Sequence, residues 1–267
     1  MLGCIFRIDQ LEFSKSEHCW IGNFSLCSED NFELKDLMKQ TKSDIGDDIT
    51  SLGCLLNRRG DHEQAKNYYL QLLSEPSTEQ LDRARCYYGL GAAATALGQY
   101  DQALEYHSKE LEIHKKRSNR RNTALTHMVM GQIYWKKGDL DTALAYEEKA
   151  YPILRDFADP QLSNVYLTMG SIYNAKNEPK LAIQHYETAL KLNRQQQLPA
   201  HHENFGIIYT NMGLAYSLNQ KPKKALEYCL KAKEVLLKSL PPTNSRITEI
   251  EGYIRCIREQ IEQNKES

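Results

Sequence analysis

Residues 87–111 read YYGLGAAATALGQYDQALEYHSKEL, and this stretch decides the fold. It has the pattern of two short amphipathic helices joined by a tight turn. Leu90 and Gly91 sit midway along the first helix, and Gly98 ends it. Tyr100 and Asp101 lead into the second, where Ala103 leaves room for two crossing helices to approach. Working outward, the same frame recurs four more times. The mid-helix glycines are Gly53, Gly91, Gly131, Gly170 and Gly213, at steps of 38, 40, 39 and 43 residues. The small residues Ala65, Ala103, Ala143, Ala182 and Ala225 move by the same steps. Two independent markers in lockstep exclude a chance period. Three residues after each glycine come Leu56, Ala94, Tyr134, Tyr173 and Tyr216. Seven after it come Gly60, Gly98, Gly138, Asn177 and Gln220, types that end a helix in the left-handed conformation. Late in the second helices stand Leu72, Glu110, Ala150, Ala189 and Ala232, four of the five apolar.

A Leu-Gly, a Tyr and two small Ala positions per hairpin resemble the tetratricopeptide repeat. The steps exceed that unit's ~34 residues, which helices lengthened by a turn and longer loops between hairpins account for. Stretches such as ALEYHSKELEIHKKRS and LKSLPPTNSRI resemble the repeats of kinesin light chains and their relatives. The resemblance implies a mainly α fold: a right-handed α-solenoid of about five helical hairpins plus a C-terminal capping helix. The hairpins fall at about 46–80, 82–119, 121–158, 160–198 and 200–240 within an array over 46–240. One hairpin cannot bury its own apolar face, so neighbours and caps must cover it.

The net charge is −1 and 26% of residues are charged, so there is no global field to draw in nucleic acid or a membrane surface. No run of about 18 apolar residues marks a transmembrane helix. Arg7 and Asp9 interrupt the first apolar segment, which is therefore not a secretory signal. Seven cysteines are scattered with no CxxC pair, as expected of reduced thiols in a cytoplasmic protein. No metal set is expected. His201 and His202 are adjacent, and neighbouring side chains on a helix diverge by about 100°. No catalytic motif and no cofactor motif are present, so the chain is not expected to be an enzyme.

Residues 1–27 differ from the rest. GCIFRI and CWIGNFSLC are β-branched and aromatic with partial alternation, and they predict a two-stranded β segment. With LKDL downstream, they resemble the final strands of arginine-type mono-ADP-ribosyltransferase domains fused to tetratricopeptide repeats. In that family the Glu-x-Glu motif with the catalytic glutamate lies upstream of these strands. No Arg, Ser-Thr-Ser, Glu-x-Glu set occurs in order here. The resemblance implies either an adaptor carrying a strand pair or the C-terminal part of an NAD-dependent enzyme whose catalytic part lies elsewhere. Residues 28–45 predict a covering helix, capped by Ser28 or Asp30, and a short acidic link. Pro160, Pro179 and Pro222 each sit where a helix is expected to begin, and Pro152 predicts a kink or an early stop. Ser245 is expected to cap a last helix over 243–262.

In a tetratricopeptide array the first helix of each hairpin lines the concave face. Offsets of −6, −3, +1, +4 and +5 from each glycine then point inward. They give Asp47, Thr50, Cys54, Asn57 and Arg58, then Arg85, Tyr88, Ala92, Thr95 and Ala96. The third hairpin gives Leu125, Met128, Gln132, Trp135 and Lys136. The fourth gives Asn164, Leu167, Ser171, Asn174 and Ala175, and the fifth Ile207, Thr210, Leu214, Ser217 and Leu218. Trp135, with Met128 and Tyr88 near it and Arg85 and Lys136 at the flanks, has the make-up of a peptide anchor; the alternative is that Trp135 folds back as core. Asn57, Gln132 and Asn174 have the side chains to hold an extended ligand's backbone, or are simply solvated. Lys115, Lys116, Arg117, Arg120 and Arg121 form a basic cluster suited to an acidic peptide or phosphate or to a nuclear signal, or are merely a solvated loop with cations at a helix C-terminus. The expected function is a non-enzymatic adaptor with a protein or peptide ligand.

Overall fold

The structure is a computed structural model and describes residues 6–14, 19–26, 50–75, 79–241 and 244–266. From Thr50 onward the described residues form an all-helical solenoid. Its first hairpin is α1 (Ser51–Arg59) with α2 (His62–Ser74), and its second is α3 (Gln80–Ala96) with α4 (Tyr100–Lys116). Then come α5 (Arg120–Lys137) with α6 (Leu140–Asp156), and α7 (Leu162–Ala175) with α8 (Pro179–Gln195). The last hairpin is α9 (Glu203–Leu218) with α10 (Pro222–Ser239), and α11 (Ser245–Glu266) follows. Each first helix packs on its own partner, each second helix packs on the next hairpin's first helix, and α11 packs on α10. Upstream, the backbone of β1 (Phe6–Ser14) pairs antiparallel with β2 (Cys19–Leu26), Phe6 opposite Leu26 and Ser14 opposite Cys19. The expected covering helix over 28–45 and Asp47 lie outside the described residues.

The turn within every hairpin follows from its seventh residue. Gly60, Gly98, Gly138, Asn177 and Gln220 all have positive φ, from 56° to 86°. The next amide, from Asp61, Gln99, Asp139, Glu178 and Lys221 in turn, donates to the carbonyl five residues back at 2.8–3.0 Å. This closes the orphan carbonyls of the first helix. Between hairpins the same device reappears on residues without that preference: Ser118, Ala158 and Gln197 have φ of 48° to 56°.

Helix crossing follows from the paired small residues. The five second-helix alanines are fully buried. Sixteen residues after each glycine stands the side chain that fills the space over it: Tyr69, His107, Glu147, Tyr186 and Cys229. A Cβ built on Gly91 would lie 2.3 Å from His107 Nε2, so only glycine fits there. On the other flank of the last three hairpins, rings at offsets +3 and +15 stack. The pairs are Tyr134 on Tyr146, Tyr173 on His185 and Tyr216 on Tyr228, with centroids 5.1–5.3 Å apart. Such pairs add about 0.5–1.5 kcal/mol each beyond their burial.

Polar ties join hairpins about one period apart. Lys176 reaches Asp141 at 2.5 Å, and Lys137 pairs with Asp101 in the same register. Arg121 Nε meets the buried carboxylate of Asp159 at 2.5 Å. Arg246 of α11 pairs with Glu203 of α9.

Three sequence expectations at helix ends are corrected. α6 runs through Pro152 to Asp156, because Ala150 and Leu154 on either side are fully buried and packing holds the helix past the missing N–H. Pro179 and Pro222 begin their helices, but Pro160 lies in a turn two residues before α7. There Asp159 Oδ1 accepts from Gln161 N at 2.9 Å and sets the start. The last helix is capped not by Ser245 but by Asn244, whose Oδ1 accepts from Arg246 N at 3.0 Å.

Candidate functional site

Between α3 and α5 the face built from the first helices opens into a cleft of about 540 Å³. One wall is Leu81, Ala84, Arg85 and Tyr88 of α3; the other is Asn122, Leu125, Met128 and Val129 of α5. Glu110 and His114 of α4 lie between the two walls and form the floor. Asn119 and Gln161 close one end.

The floor departs from the repeat. Glu110 stands where the other hairpins place Leu72, Ala150, Ala189 and Ala232. It is only 5% exposed, and it is provided for. His107 Nδ1 lies 2.8 Å from Oε2, Thr126 Oγ1 donates to Oε1 at 3.1 Å, and His114 Nε2 is 3.5 Å from Oε1. Burial pushes the carboxyl pKa up, but the hydrogen bonds from His107, His114 and Thr126 outweigh it, and the value falls below the ordinary carboxylate range. Glu110 is therefore an anion at neutral pH. Its partners depart from the repeat with it. His114 replaces Leu154 or Leu236 of other hairpins, and Thr126 replaces Cys86, Val165 or Ile208.

An ionised Glu110 accepts from a proton-bearing nitrogen of each imidazole, Nδ1 of His107 and Nε2 of His114. His107 Nε2 and His114 Nδ1 are buried with no hydrogen-bond partner. Above the floor the Tyr88 ring meets His107 edge-on at 5.9 Å, yet the residue is 48% exposed. Partial burial and, next, the Glu110 charge raise the Tyr88 phenol pKa, so ring and floor are electrostatically linked.

The sequence-predicted residues distribute unevenly around this cleft. Arg85, Tyr88, Leu125 and Met128 line it together. Met128 is a wall only at its edge, being 6% exposed and packed with Ala124, Ala150 and Leu154. Arg85 bonds Asp82 at 3.2 Å. Trp135 is half-buried and lies outside the lining, because seven residues beyond Met128 means about 10 Å along the helix. Lys136 is exposed. Asn57 is committed to architecture: its Nδ2 donates to Gly89 O of the next hairpin at 2.9 Å. Gln132 Nε2 reaches Thr168 Oγ1 at 3.5 Å, and Asn174 keeps a buried Oδ1 without a partner. The basic cluster is not one patch of free cations. Lys116 pairs with Glu112 at 2.7 Å and Arg121 with Asp159, while Lys115, Arg117 and Arg120 are exposed. Among the described residues no group of His, Cys, Asp or Glu is arranged to hold a metal ion, and no helix is long and apolar enough to cross a membrane.

A solenoid of helical hairpins with a cleft on its first-helix face defines a class of repeat protein. Tetratricopeptide-repeat profiles match residues 49–76, 82–156, 163–196 and 207–235, together more than half of the chain, and the chain belongs to the tetratricopeptide repeat family. A curated relative is the transcriptional activator NprA of Geobacillus stearothermophilus, 26% identical over 179 residues. That match covers 66% of this chain, and the chain spans 43% of the relative's length. Among solved structures, the apo form of the quorum sensor NprR from B. thuringiensis superposes with a TM-score of 0.64 at 15% identity, over 88% of this chain and 67% of that one. A kinesin light chain of Podospora anserina with nearly identical TPR-like repeats gives a TM-score of 0.56 at 16% identity, over 71% and 93%. These likenesses are of fold. The family matches lie within residues 49–235, so the ADP-ribosyltransferase resemblance of the N-terminal segment rests on its sequence alone.

Proposed function

We propose that the chain is a non-enzymatic adaptor that holds a peptide or a partner helix on the face lined by α1, α3, α5, α7 and α9, anchored in the cleft between α3 and α5. The observation that carries this reading is the cleft itself: an exposed aromatic ring and apolar walls over a buried, ionised floor. Such a mixture of apolar wall and few convergent polar groups is what ligand sites present. Two further points support it. The repeat family supplies a pre-formed groove, so affinity comes from a few anchors. One structural neighbour is named as a quorum sensor, a protein that takes a signal as ligand. Residues 46–240 are the working array in this reading. Its compartment is the cytoplasm, in keeping with the unbridged thiols of Cys54, Cys229 and Cys256.

The test is a combinatorial peptide array probed with the full chain and with a Tyr88→Ala, Leu125→Ala variant. Tyr88 is exposed and Leu125 only partly buried, so helicity by circular dichroism should not change. Retained peptides should lose at least about tenfold in signal on the variant, since one hot-spot truncation costs about 2 kcal/mol. Equal binding by the variant would refute the cleft as the anchor. Met128 is unsuitable as a probe, because truncating a buried methionine costs about 2–5 kcal/mol of stability.

A further inference from the structure

Resting on the cleft reading above, we infer that the cleft between α3 and α5 selects a lysine side chain of its peptide ligand, with the ammonium drawn to the Glu110 floor and the aliphatic stem lying against Tyr88 and Leu125.

The argument starts from what the repeat would otherwise place there. At the position of Glu110 the fully buried Ala150, Ala189 and Ala232 pack without polar atoms. A chain selected only for a stable joint keeps such a residue. Here three positions converge on polar side chains at one joint, Glu110, His114 and Thr126, each apolar in most other hairpins. Local conflict with the fold's own rule marks functional sites.

The chemistry of the floor is one-sided. Glu110 carries a negative charge, and both imidazoles turn their protons toward it. What remains is acceptor capacity: a carboxylate has about four lone-pair sites, of which three are used. A ligand must therefore bring donors. Arg85, the one Lys or Arg in the lining, is held by Asp82 at the rim, so no lysine or arginine of the cleft is paired with Glu110. Leu81, Ala84, Leu125 and Val129 give the walls apolar stretches, and the exposed Tyr88 ring belongs to the same lining. A cation approaching over an aromatic face is attracted by the ring quadrupole as well. Charge at the end of a long apolar stem is the description of lysine. Arginine shares the charge, but its planar fork matches both oxygens of a carboxylate, and both Glu110 oxygens already meet donors. An acidic side chain would face Glu110 with like charge.

The probe is a positional nonapeptide library on a membrane, its central residue fixed in turn as Lys, norleucine, Arg or Glu, and its flanks randomised. Norleucine keeps the stem and removes the ammonium. The full chain is compared with Glu110→Ala, which installs the residue the repeat itself uses and so preserves the fold. The full chain should favour fixed Lys over fixed norleucine by at least about tenfold, the scale of one charge-assisted hydrogen bond. In Glu110→Ala that ratio should fall to near one. A ratio near one in the full chain, a preference for Glu, or a lysine preference that survives in Glu110→Ala overturns the inference. If those peptides still depend on Tyr88 and Leu125, only the lysine assignment fails and the cleft reading stands. If no sub-library binds the full chain, both fail.

Discussion

Replacing Glu147 by Met should make the array more stable, and increasingly so as pH rises. Glu147 fills the space over Gly131 that Tyr186 fills over Gly170. It is 0% exposed, and neither carboxylate oxygen has a hydrogen-bond partner. Burial raises its pKa well above the ordinary carboxylate value. Removing an unsatisfied buried polar group relieves about 1–3 kcal/mol, and methionine has similar length and adapts to irregular space. For a chain of this size that is a rise in melting temperature of about 2–4 °C per kcal/mol. The pH dependence is the sharper test. Because the folded-state pKa lies above the unfolded one, the folded chain holds a proton that the unfolded chain has lost. The stability this confers is complete below the unfolded pKa and is lost as pH rises through the folded pKa. Glu147→Met has no such slope, so its advantage must be smallest near pH 5 and grow by up to about 1.4 kcal/mol per pH unit until the folded pKa is passed. Urea melts of both proteins from pH 5 to 8, followed by circular dichroism, measure the difference. Repeat arrays need not unfold in one step, so hydrogen exchange of α5 and α6 amides should localise it. An advantage that is constant with pH, or a variant less stable than wild type at pH 8, would falsify the assignment of Glu147 as a buried acid without partners.

His127 should stay neutral far into the acid range: burial, then Lys115 and Lys149, lower its pKa to about 4, and an NMR titration of its ring that moved near 6.5 would contradict this. Its sign is opposite to that of Glu147, so stability contributed by neutral His127 is present above pH 6.5 and lost as pH falls toward 4. Gly91→Ala should destabilise by about 1–3 kcal/mol, since the added carbon meets His107 Nε2; a chemical melt within 0.5 kcal/mol of wild type would show that the ring moves aside freely. Asp159→Ala should cost about 2 kcal/mol by removing both the Arg121 pair and the start of α7, with exchange protection lost first in α7.

The solenoid was legible because its information is repeated. Each hairpin restates the glycine, the small residue and the turn residue, so five weak signals at a fixed step become one strong one. The turn within the hairpin could be read from Gly60, Gly98 and Gly138 because positive φ favours glycine, and from Asn177 and Gln220 because the register placed them in the same role. The turns between hairpins could not. Ser118, Ala158 and Gln197 take the same conformation with no preference for it, and only the packing of the next hairpin puts them there. The caps failed for a related reason. Asn244 and Ser245 are neighbours with similar capping preference, and Asp159 competes with Pro160 for the start of α7. Which residue wins depends on where the preceding turn delivers the chain.

The site was half legible, and the half that was missed had a usable signal. Register from the glycines found Arg85, Tyr88, Leu125 and Met128, the walls of the cleft, because inward offsets are a property of the helix. It also placed Asn57 and Trp135 inward, which the structure assigns to the joint between hairpins and to a point two turns along α5. Offset alone says where a side chain starts, not what its polar atoms reach. The floor came from second helices, which a groove-only reading leaves out. Glu110 announced itself as a break in the small-residue series, but a single break is as easily a tolerated substitution. What distinguishes it is concerted departure at offsets +19, +23 and −5, by Glu110, His114 and Thr126, from positions that are mostly apolar elsewhere, Ala150, Leu154 and Val165 one hairpin later. Aligned within one chain, hairpins act as each other's controls. A polar residue that changes alone is as easily a tolerated substitution; one whose spatial partners change with it, down to the 2.8 Å contact from His107, belongs to a built network.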